Sequence, residues 1–197
     1  MQRGKFARLI PIALVLIVAV IAITALVSFG RSIFGGDGTP DSDPGREALL
    51  STSLNRGVRM NVRGPIVADE NFRSYQISVT STQRNMTTYE GYLERPIDRA
   101  VLENNIPAYE EFVHALDNAD MIEGEEFENE EDDTRGVCAT GYLYEFEVYN
   151  GSNVVKRLWE TDCRNTDGSL EADRRQIENL FLLQIPEQRQ LLRDADF

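Results

Sequence analysis

Residues 136–163 read GVCATGYLYEFEVYNGSNVVKRLWETDC, and they predict the β-hairpin that closes the folded domain. Two runs rich in aromatic and β-branched residues flank Asn150-Gly151. This dipeptide is the strongest short signal for a two-residue type I′ turn. With Asn150 and Gly151 as the turn residues, Tyr149 lies opposite Ser152, and this pairing sets the register of the whole hairpin.

The hairpin register also predicts how the two cysteines of the chain are placed. Counting back from the turn puts Cys138 opposite Cys163 in a non-hydrogen-bonded pair, whose Cα atoms lie about 4.5 Å apart, within the reach of a disulfide. Two cysteines in an exported domain form a disulfide more often than a metal site, and the single histidine, His114, cannot complete a zinc site with them. We therefore predict a Cys138–Cys163 disulfide and no metal site.

The alternating side chains of the hairpin divide into an apolar and a polar face. The predicted core face carries six apolar residues: Tyr142, Tyr144, Phe146, Val148, Val155 and Trp159. The predicted solvent face carries Glu145, Glu147, Lys156 and Glu160. An aromatic binding patch is the alternative interpretation of the first set.

Three further strands are predicted upstream of the hairpin. Strict alternation indicates one strand over residues 58–63, a second over about residues 72–82, and a third from a turn near residues 83–85 through about residue 93. Short connections favour antiparallel neighbours, so the three strands predict a meander. Arg59 and Arg63 share the outer face of the first strand, where they are either solvated or bind an anion.

Helical spacing is clearest after Pro107, where Tyr109, Phe112, Val113 and Leu116 follow the i, i+3, i+4, i+7 pattern. His114 lies off that apolar stripe and is predicted to be a solvated surface residue. Further helices are predicted over residues 46–56, after Pro96, over about residues 167–183, and after Pro186. Residues 46–197 therefore predict one α+β domain with an antiparallel sheet of about five strands packed by helices.

Acidic residues dominate the region after the first 30 residues. That region carries 17 basic and 33 acidic side chains, because three of the 20 basic residues precede it, and its net charge is −16. Such a charge discourages binding to nucleic acid and anionic lipid. Residues 123–133 read EGEEFENEEDD, a run whose repulsion predicts an extended, mobile segment. Binding of calcium or of a basic partner is the alternative.

The N-terminal segment predicts a membrane anchor. Residues 9–29 contain 21 uncharged, mainly apolar residues, the length that crosses a hydrocarbon core of about 30 Å as a helix. Arg3, Lys5 and Arg8 precede this span and predict that residues 1–8 are cytoplasmic. A cleaved signal peptide is the alternative, but its apolar region is usually shorter. Residues 30–45, rich in Gly, Pro and Asp, predict a flexible linker.

The chain lacks the sequence patterns of common catalytic sites: a Gly-rich phosphate loop, G-x-S-x-G, H-E-x-x-H, C-x-x-C and a His pair. We therefore predict no catalytic residue and no cofactor. The anchor and the linker favour a tethered, extracytoplasmic binding or assembly module that contacts another envelope protein. Two alternatives are a carboxylate-dependent hydrolase that uses Glu145 and Glu147, and a sensor of calcium or a small ligand that acts through residues 123–133.

Overall fold

A computed structural model describes residues 43–127, 132–164 and 166–197. The cytoplasmic tail predicted at 1–8, the membrane helix predicted at 9–29 and residues 30–42 of the predicted linker lie outside these ranges. Among the described residues, no helix combines the length and the apolar character needed to cross a membrane. Residues 43–197 form one compact unit.

The described residues form six strands, four α-helices and one short 3₁₀ turn. In chain order the elements are α1 (Pro44–Leu50), β1 (Arg56–Arg63), a 3₁₀ turn (Asp69–Asn71), β2 (Arg73–Thr80), β3 (Gln83–Glu90), β4 (Arg95–Glu103), α2 (Ile106–Asp117), β5 (Leu143–Asn150), β6 (Asn153–Thr161), α3 (Arg174–Leu182) and α4 (Gln188–Asp194). The predicted α+β class is confirmed.

The six strands form one antiparallel sheet in the order β4-β3-β2-β1-β5-β6. Strands β1 to β4 are consecutive neighbours, so the predicted meander is confirmed and extends by one strand. The β5–β6 hairpin joins the sheet on the other side of β1, where Met60 lies opposite Phe146. Strand β1 is therefore a central strand with a partner on each side.

The core lies between one face of the sheet and the helices. Even-numbered residues of β1 (Val58, Met60 and Val62) are at most 1% exposed and belong to the same core cluster as the apolar stripe of α2. That stripe is the predicted one: Tyr109, Phe112, Val113 and Leu116 are all buried. Helix α2 begins after Asn105, whose side chain accepts a hydrogen bond from the Ala108 N–H at 3.0 Å and so satisfies a free helix donor.

The segment after Pro96 is a strand, not the predicted helix. Ile97, Ala100 and Val101 have helical spacing, but residues 95–103 pair with β3. Because β4 lies at the edge of the sheet, its side chains are largely exposed, and the alternation that marks a buried strand is weak. The sheet therefore has six strands where about five were predicted.

Several element boundaries also differ from the predictions. Helix α1 ends at Leu50, before the predicted end at residue 56, and Leu54 beyond it is 74% exposed. Strand β3 begins at Gln83 and ends at Glu90, which leaves Leu93 in a turn, 88% exposed. Helix α3 begins only at Arg174, where Asp173 caps it by accepting hydrogen bonds from the Arg175 and Gln176 N–H groups.

The predicted hairpin exists, but its register was wrong. Asn150 pairs with Asn153, so Gly151 and Ser152 are the turn residues, and the register shifts again between Val148 and Tyr149. The predicted register, with Tyr149 opposite Ser152, would place Tyr142 opposite Trp159. Beyond the irregularity, Glu145 lies opposite Trp159 instead. The total shift is an odd number of residues, and such a shift moves every side chain of the second strand to the other face.

This shift reassigns the faces of β6. Leu158 is 1% exposed and joins the core cluster with Phe146. Trp159 lies on the opposite face of the sheet, where its ring contacts that of Phe127 at 5.7 Å between centroids. Lys156, predicted to share the solvent face with Glu145 and Glu147, lies opposite Val148 instead.

The disulfide between Cys138 and Cys163 is present, as the sequence predicted, with a Cα separation of 5.6 Å. The two cysteines are not opposed within the hairpin ladder, because β5 begins at Leu143 and β6 ends at Thr161. The bond instead joins the loop that leads into β5 to the loop that leaves β6. Gly141 fits beside it, since a Cβ there would lie 3.0 Å from the Cys138 Sγ.

Candidate binding surface

One face of the sheet carries the helices, and the opposite face carries polar and charged side chains. Among the described residues, no helix packs on this second face, which we call the open face. It comprises the following residues of the six strands: Arg59, Asn61, Arg63, Ser74, Gln76, Ser78, Asn85, Thr87, Tyr89, Arg99, Val101, Glu145, Glu147, Tyr149, Arg157 and Trp159. Along each strand, these residues alternate with the residues that face the core.

A hydrogen-bonded network fixes the centre of the open face. Arg59 Nη1 donates to Glu147 Oε2 at 3.1 Å, and the Arg59 guanidinium lies 4.7 Å from the centroid of the Tyr149 ring. Asn61 Nδ2 donates to the other Glu147 oxygen at 3.4 Å, and Gln76 Nε2 donates to Asn61 Oδ1 at 2.8 Å. The network spans β5, β1 and β2, so these side chains are held in place before any partner binds.

Glu147 is a buried member of this network, only 8% exposed. Burial raises the pKa of its carboxyl, and the neighbouring Glu145 acts in the same direction, while Arg59 and Arg157 oppose the shift. The prediction that Glu147 faces solvent was therefore wrong in one respect. The side chain does lie away from the helical core, but its neighbours on β1 and β6 shield it from water.

The ends of the acidic run are attached to the hairpin. Arg157 donates from Nη1 to Glu145 Oε1 at 2.7 Å, and its Nη2 contacts Asp132 Oδ2 at 2.5 Å. Glu126 Oε1 accepts a hydrogen bond from the backbone N–H of Arg157 at 2.7 Å. The described ends of the run therefore contact the sheet, whereas a mobile segment was predicted, and residues 128–131 lie outside the described residues.

Two adjoining cavities open beside this network, and we call them together the Arg63 cleft. The larger has a volume of about 250 Å³ and an apolar lining that includes Ile66, Phe72 and Leu143. The smaller, about 160 Å³, has a polar lining that includes Asn61 and Gln76. Arg63 and Glu94 line both cavities.

Arg63 is a cationic donor in this cleft, which the carboxylates of Glu94 and Glu145 also line. Its Nη2 donates to the backbone and side-chain oxygens of Thr134, both at 3.1 Å, and both of these acceptors are neutral. Its buried Nε has no hydrogen-bond partner among the described residues. A cleft with an apolar wall and a cationic donor suits a carboxylate or a carbonyl group on a partner.

Two short loops form the rim of the cleft. The Tyr92 hydroxyl donates to the Val67 carbonyl at 2.7 Å and accepts from the Val67 N–H at 3.1 Å. Asp69 Oδ1 accepts from the Tyr92 N–H at 2.8 Å, and the Tyr92 ring stacks on Phe72. Glu94, at the end of this turn, has a positive φ of 51°, a conformation that is uncommon for a residue with a side chain.

The structure places the other residues considered from the sequence as follows. His114 is exposed in the last turn of α2, away from the open face. Tyr144, Phe146 and Val148 are buried beneath the helices, which confirms them as core residues. Among the described residues, no group of three or more His, Cys, Asp and Glu side chains is placed to hold a metal ion.

Glu145 and Glu147, the carboxylate pair considered for hydrolysis, both lie on the open face, and each has an arginine partner. Sequence reasoning recognised the alternation of Arg59 and Arg63 on β1 but missed the network, because it joins strands distant in sequence. The position of β1 between β2 and β5 is the missing information.

Comparison with protein-family models, with curated proteins and with solved structures found no match to this chain.

Proposed function

We propose that this chain is a non-catalytic binding or assembly module, held in a membrane by residues 9–29 with its C-terminal domain outside the cytoplasm. The partner is another protein of the envelope, and it binds the open face at the Arg63 cleft. The apolar sequence of residues 9–29 supports the anchor, and the open face of the folded domain supports the binding role.

The observation that carries the proposal is the order of the open face. Its central side chains are half-buried and hydrogen-bonded to one another across three strands, so little side-chain entropy remains to be lost when a partner binds. An ordered polar platform beside an apolar cavity matches the composition of protein-binding sites.

The pairing of carboxylates with arginines supports a binding role over hydrolysis. A general acid and a nucleophile must both reach a substrate, whereas Glu145 and Glu147 are occupied by Arg157 and Arg59. Arg63, whose hydrogen-bond acceptors among the described residues are the two oxygens of Thr134, is the cationic donor that we assign to the partner. The preferred partner therefore presents a carboxylate, together with apolar side chains that pack against the cavity wall formed by Phe72 and Leu143.

Site-specific photocrosslinking in the native membrane tests this proposal. A photoreactive amino acid at Ser78, on the open face, is expected to give one crosslinked product of defined mass. The same amino acid at Glu111, exposed on α2, is the matched control and is expected to give no such product. Arg63→Gln should lower the yield at Ser78. Identical products from both positions, or a yield indifferent to Arg63→Gln, would argue against the open face as the binding surface.

A further inference from the structure

We propose that two copies of this chain pair through β4, edge to edge and antiparallel, with Val101 at the two-fold axis. The pairing joins two six-stranded sheets into one sheet of twelve strands. This inference does not depend on the function proposed above, since it concerns the outer edge of β4 and not the Arg63 cleft.

The two edges of the sheet differ in how their backbone groups are used. At the β6 edge, the Arg157 N–H donates to Glu126 and the Trp159 N–H donates to Ser169 Oγ at 3.0 Å. The Trp159 carbonyl accepts from the Leu170 N–H at 3.1 Å. Covering an edge in this way prevents another strand from adding to it. Strand β6 is thus closed to pairing.

The β4 edge has less cover among the described residues, where side chains of the sheet itself bond the Arg99 N–H and the Glu103 carbonyl. Natural edges are commonly blocked by proline, by bulges or by charged side chains, especially lysine. Here Pro96 and the irregularity between Thr88 and Tyr89 affect only the first residues of the strand, and the charged residues beyond them, Asp98, Arg99 and Glu103, are of both signs and include no lysine. Residues 98–103 therefore form a regular edge six residues long.

The ladder bonds identify which backbone groups point outward. The Asn104 N–H donates to the Thr82 carbonyl at 2.9 Å, so residues 82 and 104 form a hydrogen-bonded pair. Hydrogen-bonded and non-hydrogen-bonded pairs alternate along an antiparallel ladder, so Leu102 and Ala100 also form hydrogen-bonded pairs with β3. The residues between and beside them do not, and their backbone N–H and C=O groups point away from β3. These residues are Arg99, Val101 and Glu103. Two of these outward groups have local partners, since the Arg99 N–H donates to Asp98 and the Glu103 carbonyl accepts from Arg84. Asp98 is an exposed side chain that a strand can displace, whereas Arg84 is half-buried and also donates to the Gln184 carbonyl at 3.1 Å, so its bond to Glu103 is the harder one to displace.

One register of self-pairing is complementary in charge. With Val101 opposite Val101 of the second copy, Arg99 lies opposite Glu103, and Glu103 lies opposite Arg99. Opposite charges on facing strands are stabilising, and like charges are destabilising. A register centred on Arg99 would instead oppose two arginines, and one centred on Glu103 would oppose two glutamates.

The same register also places apolar groups together on both faces of the sheet. Val101 is 49% exposed, and its copies would cover each other at the axis on the open face. Ala100 and Leu102, which are partly buried against the helical core, would lie opposite Leu102 and Ala100 of the second copy. The pairing therefore extends the core across the axis.

Charge reversal in the full-length chain tests the register. Arg99→Glu replaces two attractive pairs with two repulsive ones, and is expected to raise the dimer dissociation constant about tenfold or more. Arg99→Glu combined with Glu103→Arg restores both pairs, and should return the constant to near its original value. The measurement is the mass in detergent solution by light scattering across a concentration series. A circular dichroism spectrum shows that each variant is folded.

Cysteine crosslinking provides a second readout that does not depend on affinity. Val101→Cys should form an intermolecular disulfide under mild oxidation, since facing residues in a hydrogen-bonded pair have Cα atoms about 5.5 Å apart. Ile97→Cys, on the same strand and also exposed, is the matched control and should not crosslink, because its copies lie at opposite ends of the paired strands.

Three results would overturn the proposal. A monomer at all concentrations, with no crosslink through Val101→Cys, would show that β4 does not pair with a second copy. This result is also the one expected if residues 30–42 of the same chain cover the edge. Equal crosslinking through Ile97→Cys would refute the register. A dimer unaffected by Arg99→Glu would place the interface elsewhere, for example between the membrane anchors.

Discussion

Glu147 shows how a single residue acquires a role that its strand position does not reveal. Alternation assigns it to the polar face of β5, and it does lie there. Its environment is set by β1, where Arg59 and Asn61 hydrogen-bond both of its oxygens. Burial at this contact raises the pKa of the carboxyl, so the ionised form is less favoured in the folded chain than in the unfolded chain.

The raised pKa gives a prediction about pH. The stabilising contribution of Glu147 is complete below its unfolded pKa, near 4.5, and is lost as pH rises through its higher folded value. Glu147→Gln removes this dependence. The difference in Tm, variant minus wild type, should therefore become more positive between about pH 4.5 and pH 7. Glu111→Gln, on the exposed side of α2, controls for the change in net charge. A difference that becomes more negative over this range would contradict the assignment.

At the scale of elements, the sequence predicted a helix or strand correctly wherever its buried residues recur at a fixed spacing along the chain. The stripe of α2 and the alternation of β1 and β2 required only neighbouring residues, and all three elements are present. Strand β4 was mistaken for a helix because an edge strand buries neither face fully. Its identity depends on pairing with β3, a contact that the local pattern does not contain.

The hairpin illustrates a different failure. Its two strands were identified, but placing the turn at Asn150-Gly151 instead of Gly151-Ser152 shifted the register. That error, with the irregularity at Val148, put Trp159 on the wrong face. The cysteine pair was nevertheless correct, because each of two cysteines in one domain has a single possible partner. The cleft beside them was not predictable, since it is formed by loops from β1, β3 and β5.

The disulfide gives a prediction at this scale. Replacing both cysteines, as Cys138→Ser with Cys163→Ser, should lower the free energy of unfolding by roughly 3–4 kcal/mol, as expected for a closed loop of about 26 residues. Denaturant unfolding measures this loss. Reduced wild-type protein should show a similar decrease, which separates the effect of the bond from that of the serine side chains. A loss below about 1 kcal/mol would show that the surrounding loops are fixed without it.

At the scale of the whole molecule, the amino-acid sequence has two parts with opposite character. An uncharged apolar segment is followed by a region of net charge −16, which comprises a Gly- and Pro-rich segment and the acidic domain. Negative charge keeps such a domain away from anionic lipid. The domain in turn presents an ordered open face and a regular β4 edge. The proposed membrane tether would raise the local concentration of both surfaces and so favour binding within the plane of the membrane.

Protease digestion of intact spheroplasts that carry the full-length chain tests the proposed anchor and orientation most directly. We expect the added protease to remove residues 43–197, while a fragment containing residues 1–29 stays in the membrane pellet after an alkaline wash. Recovery of the uncut, full-length chain from the aqueous fraction, or its complete protection until the membrane is lysed, would contradict the account.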